Sequence, residues 1–266
     1  MIDYEKIEKL NNEKIIRHAE KWYKPRLFSG QNPTFIFKGY DEIKVKLISP
    51  SFLENEKNFF YENLIENMAQ IQLSTYMLNG EEVNDLTFEE KENIVKKALK
   101  ERAGTVLLEC VSLTFNLDGI TRALSAEINR HRAMGFGEQS QRAVDTRHNA
   151  IRISPDVAKS EFINEYIELM NKVKKLYCKM IDSGKIPIEQ ARNIMPIGLI
   201  THEVETGNLR GWLAVWNARI QKEAMDEHQI LTYLEVKELK EKIPKLYNLL
   251  KETGNIFDIE KIEWIK

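Results

Sequence analysis

The sequence predicts a protein of the α/β (α+β) class, and three observations carry that reading. Short alternating or β-branched runs at residues 44–49, 105–115 and 197–205 are separated by longer patterns of helical period. Cap and turn residues punctuate the junctions. A chain of 266 residues with 42% apolar content can bury a substantial core as one domain, or as one domain with an appendage.

Residues 1–43 are expected to form an N-terminal helical appendage: a charged amphipathic helix through about Tyr23, then a Pro/Gly-punctuated segment from Lys24 to Pro33. Its aromatic residues Trp22, Tyr23, Phe28, Phe35 and Phe37 suggest docking. Lys44–Ser49 alternates polar and apolar residues, as a half-buried strand does. A helix is expected from about Phe52 to Leu78, ended by Asn79-Gly80, and a second from Phe88 to Arg102. In the second, Thr87 is the N-cap and Glu90 the capping-box partner.

Thr105–Phe115, rich in β-branched and apolar residues, reads as a strand through the core. Asp118-Gly119 then opens a helix from Ile120 to about Arg132, with Ile120, Leu124 and Ile128 on one face and Glu127 and Arg130 on another. A Gly-rich turn through Gly135 and Gly137 follows, where missing side chains let a ligand approach the backbone. Further on come a long helix over 156–183, a short one over Ile188–Ile194, a strand over Ile197–Glu205, and helices over about 208–222 and 227–250.

Net charge is −2, which argues against a general nucleic-acid binder. Cys110 and Cys178 have no metal-ligand spacing and are expected to be reduced core thiols. His18, His148, His202 and His228 have no spacing that would gather a metal. The chain starts without a basic region followed by an apolar run and contains no apolar stretch of membrane-spanning length. A soluble cytoplasmic protein with no membrane partner is the expectation.

The use of the two cations is uneven. Ten of the twelve arginines fall in two lysine-free windows, 101–158 and 186–221, whereas lysine serves the rest of the chain. A planar fork that pairs with phosphate or stacks on a ring requires arginine, so the two windows are candidate halves of one anion site. The competing reading is that arginine replaces lysine where the chain is more buried. Trp212 and Trp216, four apart on one helix, read as core packing more than as a stacking platform.

Within the first window Arg130-His131-Arg132 is followed, after seven residues, by Ser140, with Glu138 before it and Gln141-Arg142 after it. This spacing resembles the signature of the flavin-dependent thymidylate synthases. The second window continues the resemblance: Ala191-Arg192 followed by Pro196, then Asn208-Leu-Arg210, then Arg219 on the next helix. It covers roughly residues 44–250 and is clear only in 127–142 and 191–219.

The resemblance implies a catalytic domain over 44–266 with a central, mainly antiparallel sheet flanked by helices, assembled as a homotetramer with sites between subunits. It implies that Arg130, His131, Arg132, Glu138, Asn208 and Arg210 touch flavin adenine dinucleotide (FAD). Ser140, Gln141, Arg142 and Arg192 would hold the phosphate of a pyrimidine nucleotide, with Glu127 close to that substrate, and Arg219 would polarise the pyrimidine carbonyls as the catalytic residue. The implied reaction is C5 methylation, dUMP to dTMP, with 5,10-methylenetetrahydrofolate as carbon donor and NADPH as reductant. For His131, a hydrogen-bonded cofactor contact is favoured over proton shuttling, because permanent cations flank it.

Departures from the family pattern bear on the substrate. Glu127 stands where glutamine is usual, Gly137 where asparagine is common, Gln141 where glycine is common, and the segment Gly104–Glu109 lacks an expected histidine. A carboxylate at 127 prefers a donor such as a ribose hydroxyl or a cytosine amine, so UMP, dCMP or CMP, methylated or hydroxymethylated, remain alternatives. Glu127 could instead pair with Arg130 or Arg142. A non-catalytic nucleotide-binding homologue is the remaining reading.

Overall fold

The computed structural model describes residues 37–49, 57–74 and 85–263. The expected helix through Tyr23 and the Lys24–Pro33 segment lie outside the described residues, as do the expected ends of the helix at 52–78. By backbone contacts the chain divides into two compact units, one of residues 1–39 with 139–201, the other of residues 40–138 with 202–266.

In the larger unit, β2 (Lys44–Ser49) pairs antiparallel with β3 (Ser112–Thr121), and β4 (Met134–Glu138) pairs antiparallel with β6 (Ile200–Asn208). β2 is numbered after β1 (Phe37–Lys38), which belongs to the smaller unit. The sheet order is β2-β3-β6-β4, so β4 is an edge strand. Helices α1 (Lys57–Ser74), α2 (Phe88–Lys100) and α3 (Arg122–Ile128) precede β4. One core joins Ile65 and Met68 of α1, Val95 and Leu99 of α2, and the inward residues Leu113, Phe115 and Leu117 of β3. The period-two burial of β3 is what a strand with one covered face requires.

The helix N-cap expected at Thr87 is present with its full capping box, the Thr87 hydroxyl accepting from the Glu90 amide and Glu90 accepting from the Thr87 amide. The strand expected at 105–115 is displaced. Residues 102–110 form a 3-10 helix and the strand starts at Ser112. Gly104 is the reason: a Cβ there would lie 1.8 Å from the Ala98 carbonyl oxygen, so the chain turns tightly against the end of α2. Gly104→Ala is therefore expected to cost about 1–3 kcal/mol or more, read as a lower denaturation midpoint at unchanged slope.

Three further expectations are corrected. Asp118-Gly119 does not open a helix. Gly119 stays in β3 at φ 85°, and α3 starts after Thr121, whose hydroxyl caps the Leu124 amide at 3.0 Å. The Gly-rich stretch 134–138 is a strand, not a turn. The helix expected over 227–250 is two helices, α8 (Asp226–Lys242) and α9 (Pro244–Glu252), because the residue before proline is driven out of helical conformation.

In the smaller unit, β1 pairs parallel with β5 (Ile151–Arg152). The helix expected over 156–183 breaks at Ser160 into α4 (Pro155–Lys159) and α5 (Ile163–Asp182). A short α6 (Ile188–Ala191) runs into a 3-10 turn at Arg192–Ile194. Small clusters around Met170 and Tyr177 hold α5 to its surroundings. Cys178 is half-buried, while Cys110 is exposed at the end of a 3-10 helix, not a core thiol. Among the described residues no helix is long and apolar enough to cross a membrane.

Candidate functional site

Arg130-His131-Arg132 occupies the tight turn between α3 and β4. The amides of Arg130 and His131 donate to the Glu127 and Ile128 carbonyls, and the Met134 amide returns to the His131 carbonyl at 3.0 Å. These bonds end α3 before Arg130 and start β4. The turn projects Arg130 and Arg132 to the exterior and leaves His131 half-buried.

His131 meets the second arginine window directly. The Arg219 Nε, at the end of α7 (Leu209–Arg219), donates to His131 Nε2 at 3.2 Å. His228, near the start of α8, lies edge-on to His131 with ring centroids 5.8 Å apart. Burial, then the Arg219 cation, lowers the His131 pKa below the usual histidine value, with Glu127 opposing. His228 is pushed down to about 3 by burial, Arg219 and His131. Both imidazoles are therefore neutral at neutral pH, and His131 presents a lone pair to the guanidinium.

Of the remaining flavin candidates, Arg132 is exposed, Arg130, Glu138 and Arg210 are ion-paired, and Asn208 is a helix cap. Asn208 caps α7, its Oδ1 accepting from the Gly211 amide at 2.8 Å, a bond that does not use its amino group. Arg210 pairs with Glu109, Glu138 with Arg122, and Arg130 approaches Glu127 at 3.8 Å. Arg130 is exposed and Arg210 and Glu109 are about half-exposed, so these pairs are weak and can exchange for an incoming phosphate. On the edge strand β4 a Cβ at Gly137 would meet nothing within 4 Å. Exposed guanidinium groups beside an open strand edge suit a dinucleotide with a flat ring and a pyrophosphate.

The phosphate candidates fall in the smaller unit, where Glu189 joins them. Arg142 Nε donates to the Glu189 carboxylate at 2.7 Å, and Arg192 Nε donates to the Glu189 carbonyl at 3.2 Å. Ser140 Oγ accepts from the Arg142 amide at 3.3 Å, so this serine shapes the loop that presents Arg142. Gln141 is half-buried beside it. The Glu189 carboxylate is the anion paired with Arg142, while Arg192 meets only its backbone carbonyl, and sequence reasoning missed Glu189. Of the two partners considered for Glu127, it is Arg130 that lies near it, while Arg142 is held by Glu189.

Sequence reasoning also missed the buried acids of the larger unit. Glu203 and Glu205 alternate on β6 and are buried, with Glu235 of α8 buried as well. Burial pushes Glu203 up to about 7. Glu205 and Glu235 are both raised, by burial first and for Glu205 then by the neighbouring carboxyls. Trp216 donates its indole N–H to Glu235 Oε2 at 2.9 Å. Trp212 and Trp216 are both fully buried, stacked on each other with centroids 5.3 Å apart. Among the described residues no group of three or more His, Cys, Asp or Glu is arranged to hold a metal.

Known proteins are similar to this chain in sequence and in fold. Residues 58–245 match the model of the family described as thymidylate synthase complementing protein, a stretch that contains both arginine windows' motifs. The chain is similar to the flavin-dependent thymidylate synthase of Nitratidesulfovibrio vulgaris, 26% identical over 166 residues, 59% of this chain and 68% of the relative. That of Geobacter sulfurreducens is 32% identical over 128 residues, 47% of this chain and 55% of the relative. That of Saccharolobus solfataricus is 26% identical over 205 residues, 68% and 76% of the two chains. The fold is similar to that of a UMP/dUMP methylase, PolB, from Streptomyces cacaoi, solved with 5-Br dUMP. That likeness has a TM-score of 0.63 and 17% identity, covering 83% of this chain and 98% of the other. With the family's model matching well over half of its length, the chain belongs to the thymidylate synthase complementing protein family.

Proposed function

We propose that this protein methylates C5 of a pyrimidine nucleotide, dUMP to dTMP, as an FAD-dependent enzyme using 5,10-methylenetetrahydrofolate and NADPH. The observation that carries the reading is the 3.2 Å bond between Arg219 and His131, which joins two motifs 88 residues apart in the chain. In support, the curated relatives are flavin-dependent thymidylate synthases and the structural neighbour is a UMP/dUMP methylase.

Arg130, Arg132 and Arg210, with the amino group of Asn208, would hold the dinucleotide's anionic and carbonyl groups, and His131 would contact it as a neutral acceptor. Glu138 is engaged by Arg122 and would orient that cation or accept from a ribose hydroxyl. Bound flavin supplies the hydride. Arg142 and Arg192 would exchange Glu189 for the nucleotide phosphate, with Ser140 and Gln141 shaping the loop. Glu127 would face the substrate's sugar or base edge as an acceptor. Arg219, fixed at Nε by His131, would turn its terminal amino groups to a pyrimidine carbonyl and stabilise the negative charge that develops there when C5 reacts. Homotetramer assembly, with residues of one subunit completing the site of another, is part of this proposal.

The test has two stages. Purified protein is expected to show the absorbance bands of oxidised flavin. Tritium release from C5-labelled dUMP, UMP, dCMP and CMP, each with the folate and NADPH, is then expected to be fastest for dUMP. Bound flavin with no release from any of the four would favour a non-catalytic homologue. Faster release from UMP or a cytosine nucleotide would give Glu127 the specificity role.

A pH prediction follows from the paired histidines. Since His131 and His228 are both held neutral, the profile of turnover is expected to lack an ionisation near the usual histidine value of about 6.5. A limb there that disappears in His131→Gln would show that the imidazole titrates in catalysis.

A further inference from the structure

The first turn of α8 is packed on three sides. Glu227, His228 and Gln229 are consecutive and only 1%, 2% and 5% exposed, although neighbouring residues on a helix point about 100° apart. A helix lying on one surface buries a single stripe, so this turn is inserted between elements.

Each of the three residues meets a different element. The Glu227 carboxylate accepts from the Thr121 amide at 2.9 Å and the Thr121 hydroxyl at 2.6 Å, which ties α8 to the start of α3. Gln229 Nε2 donates to the Lys222 and Ala224 carbonyls at 3.3 and 2.6 Å, which closes the loop that follows Arg219. His228, between them in the chain, sets its ring edge-on to His131, with centroids 5.8 Å apart and the planes at 73°. One helical turn thereby holds the start of α3, the chain beyond Arg219, and the His131 ring.

The orientation of His131 decides how Arg219 is held. Accepting from Arg219 Nε at 3.2 Å uses the Nε2 lone pair, so neutral His131 carries its proton on Nδ1. If the imidazole turns away, that bond is lost and the guanidinium plane is free to rotate. His131 is faced by Arg219 from α7, by Glu127 from α3 and by His228 from α8. Of these only His228 presents a ring. A flat, buried, edge-on neighbour restricts the imidazole without adding a charge beside the Arg219 cation, since His228 is itself held neutral.

We infer that His228 is a positioning residue: its buried ring holds His131 in the orientation whose Nε2 accepts from Arg219, and so fixes the guanidinium plane. That this plane serves a pyrimidine rests on the function proposed above; the contact between the rings does not.

The ring is read first and turnover second. In the flavin-free full chain carrying isotope-labelled histidine, nuclear magnetic resonance is expected to show His131 as the Nδ1–H tautomer, with no protonation near the usual histidine value of about 6.5. His228→Ala is expected to mix the two tautomers and to raise the His131 pKa toward that value, because water takes the place of the ring. His228→Phe keeps a ring and loses both nitrogens, and is expected to return His131 to the parent's tautomer. In the flavin-loaded chain, His228→Ala is expected to lower kcat and kcat/KM together, roughly tenfold, at unchanged nucleotide KM, and His228→Phe to recover most of the loss. His228→Leu fills the space without a flat ring, and carries the alanine variant's expectations where that variant does not fold.

A merely structural role would lower the melting temperature of His228→Ala and leave the His131 tautomer and its titration as they are, and that result overturns the proposal. So does a parent in which Nε2 carries the proton. A folded His228→Phe that behaves as His228→Ala does would place the role in a nitrogen of His228 and overturns it equally. A chain that binds no flavin or releases no tritium defeats the function proposed above, while the His131 signal of the flavin-free chain still decides this inference.

Discussion

Arg219→Ala is expected to retain bound flavin and to lose turnover by at least about 10²-fold, the usual cost of removing one donor aimed at developing negative charge. The expectation comes from how the side chain is held. Its Nε is spent on His131 Nε2, so the guanidinium plane is fixed and only the two terminal nitrogens remain for a ligand. His131 can accept that bond because burial and Arg219 keep it neutral. Arg219→Lys keeps the charge and loses both the second donor and the bond geometry, so it should recover little. Single-turnover and steady-state rates, together with the flavin content of each variant, separate the outcomes. Loss of flavin with turnover per bound flavin unchanged would move Arg219 from the substrate to the cofactor. Unchanged kcat in a flavin-replete variant would remove it from the chemistry altogether.

How far the site was legible in the sequence depends on how local each signal is. The Thr87 capping box and the Lys44–Ser49 strand were readable because a cap and a two-residue period are local signals. Asn208 as the start of a helix was readable for the same reason. The strand expected at 105 was misplaced because β-branched composition outweighed Gly104, whose close packing on α2 depends on a neighbour the local sequence does not display. The glycines at 135 and 137 were read as a turn, yet they lie in a strand at a sheet edge, where their missing side chains leave open space. The meeting of His131 with Arg219 was implied by two motifs, but its partner His228 carried no spacing signal, being near the start of a helix beyond both windows. Glu203 and Glu205 were hidden by their own pattern. Alternating acids flanking Val204 read as a solvent face, and only the cover of α8 turns that face inward.

Those acids set the second large expectation, a loss of stability as pH rises above the ordinary carboxyl range. Glu203, Glu205 and Glu235 are buried, and each has at least one oxygen without a hydrogen-bond partner. Charging them in place forfeits solvation, so folding holds them protonated. An unfolded glutamate titrates at about 4.3, below all three folded values, so between those limits the folded chain binds more protons than the unfolded one. Stability is therefore full below about pH 4.3 as far as these groups are concerned, and falls as pH rises. The Glu203 part of the loss is complete near its folded value of about 7, and the part due to Glu205 and Glu235 continues into alkaline solution. At about 1.4 kcal/mol per pH unit of displacement, the whole is a loss of several kcal/mol by pH 9. Glu205→Gln/Glu235→Gln removes the coupled pair while its amide oxygen can still accept the Trp216 N–H, so its denaturation midpoint should vary much less between pH 6 and 9 than the parent's. Parallel pH dependences in the two proteins would show that the carboxyls ionise without penalty, through water or a cation reaching the interior beneath β6.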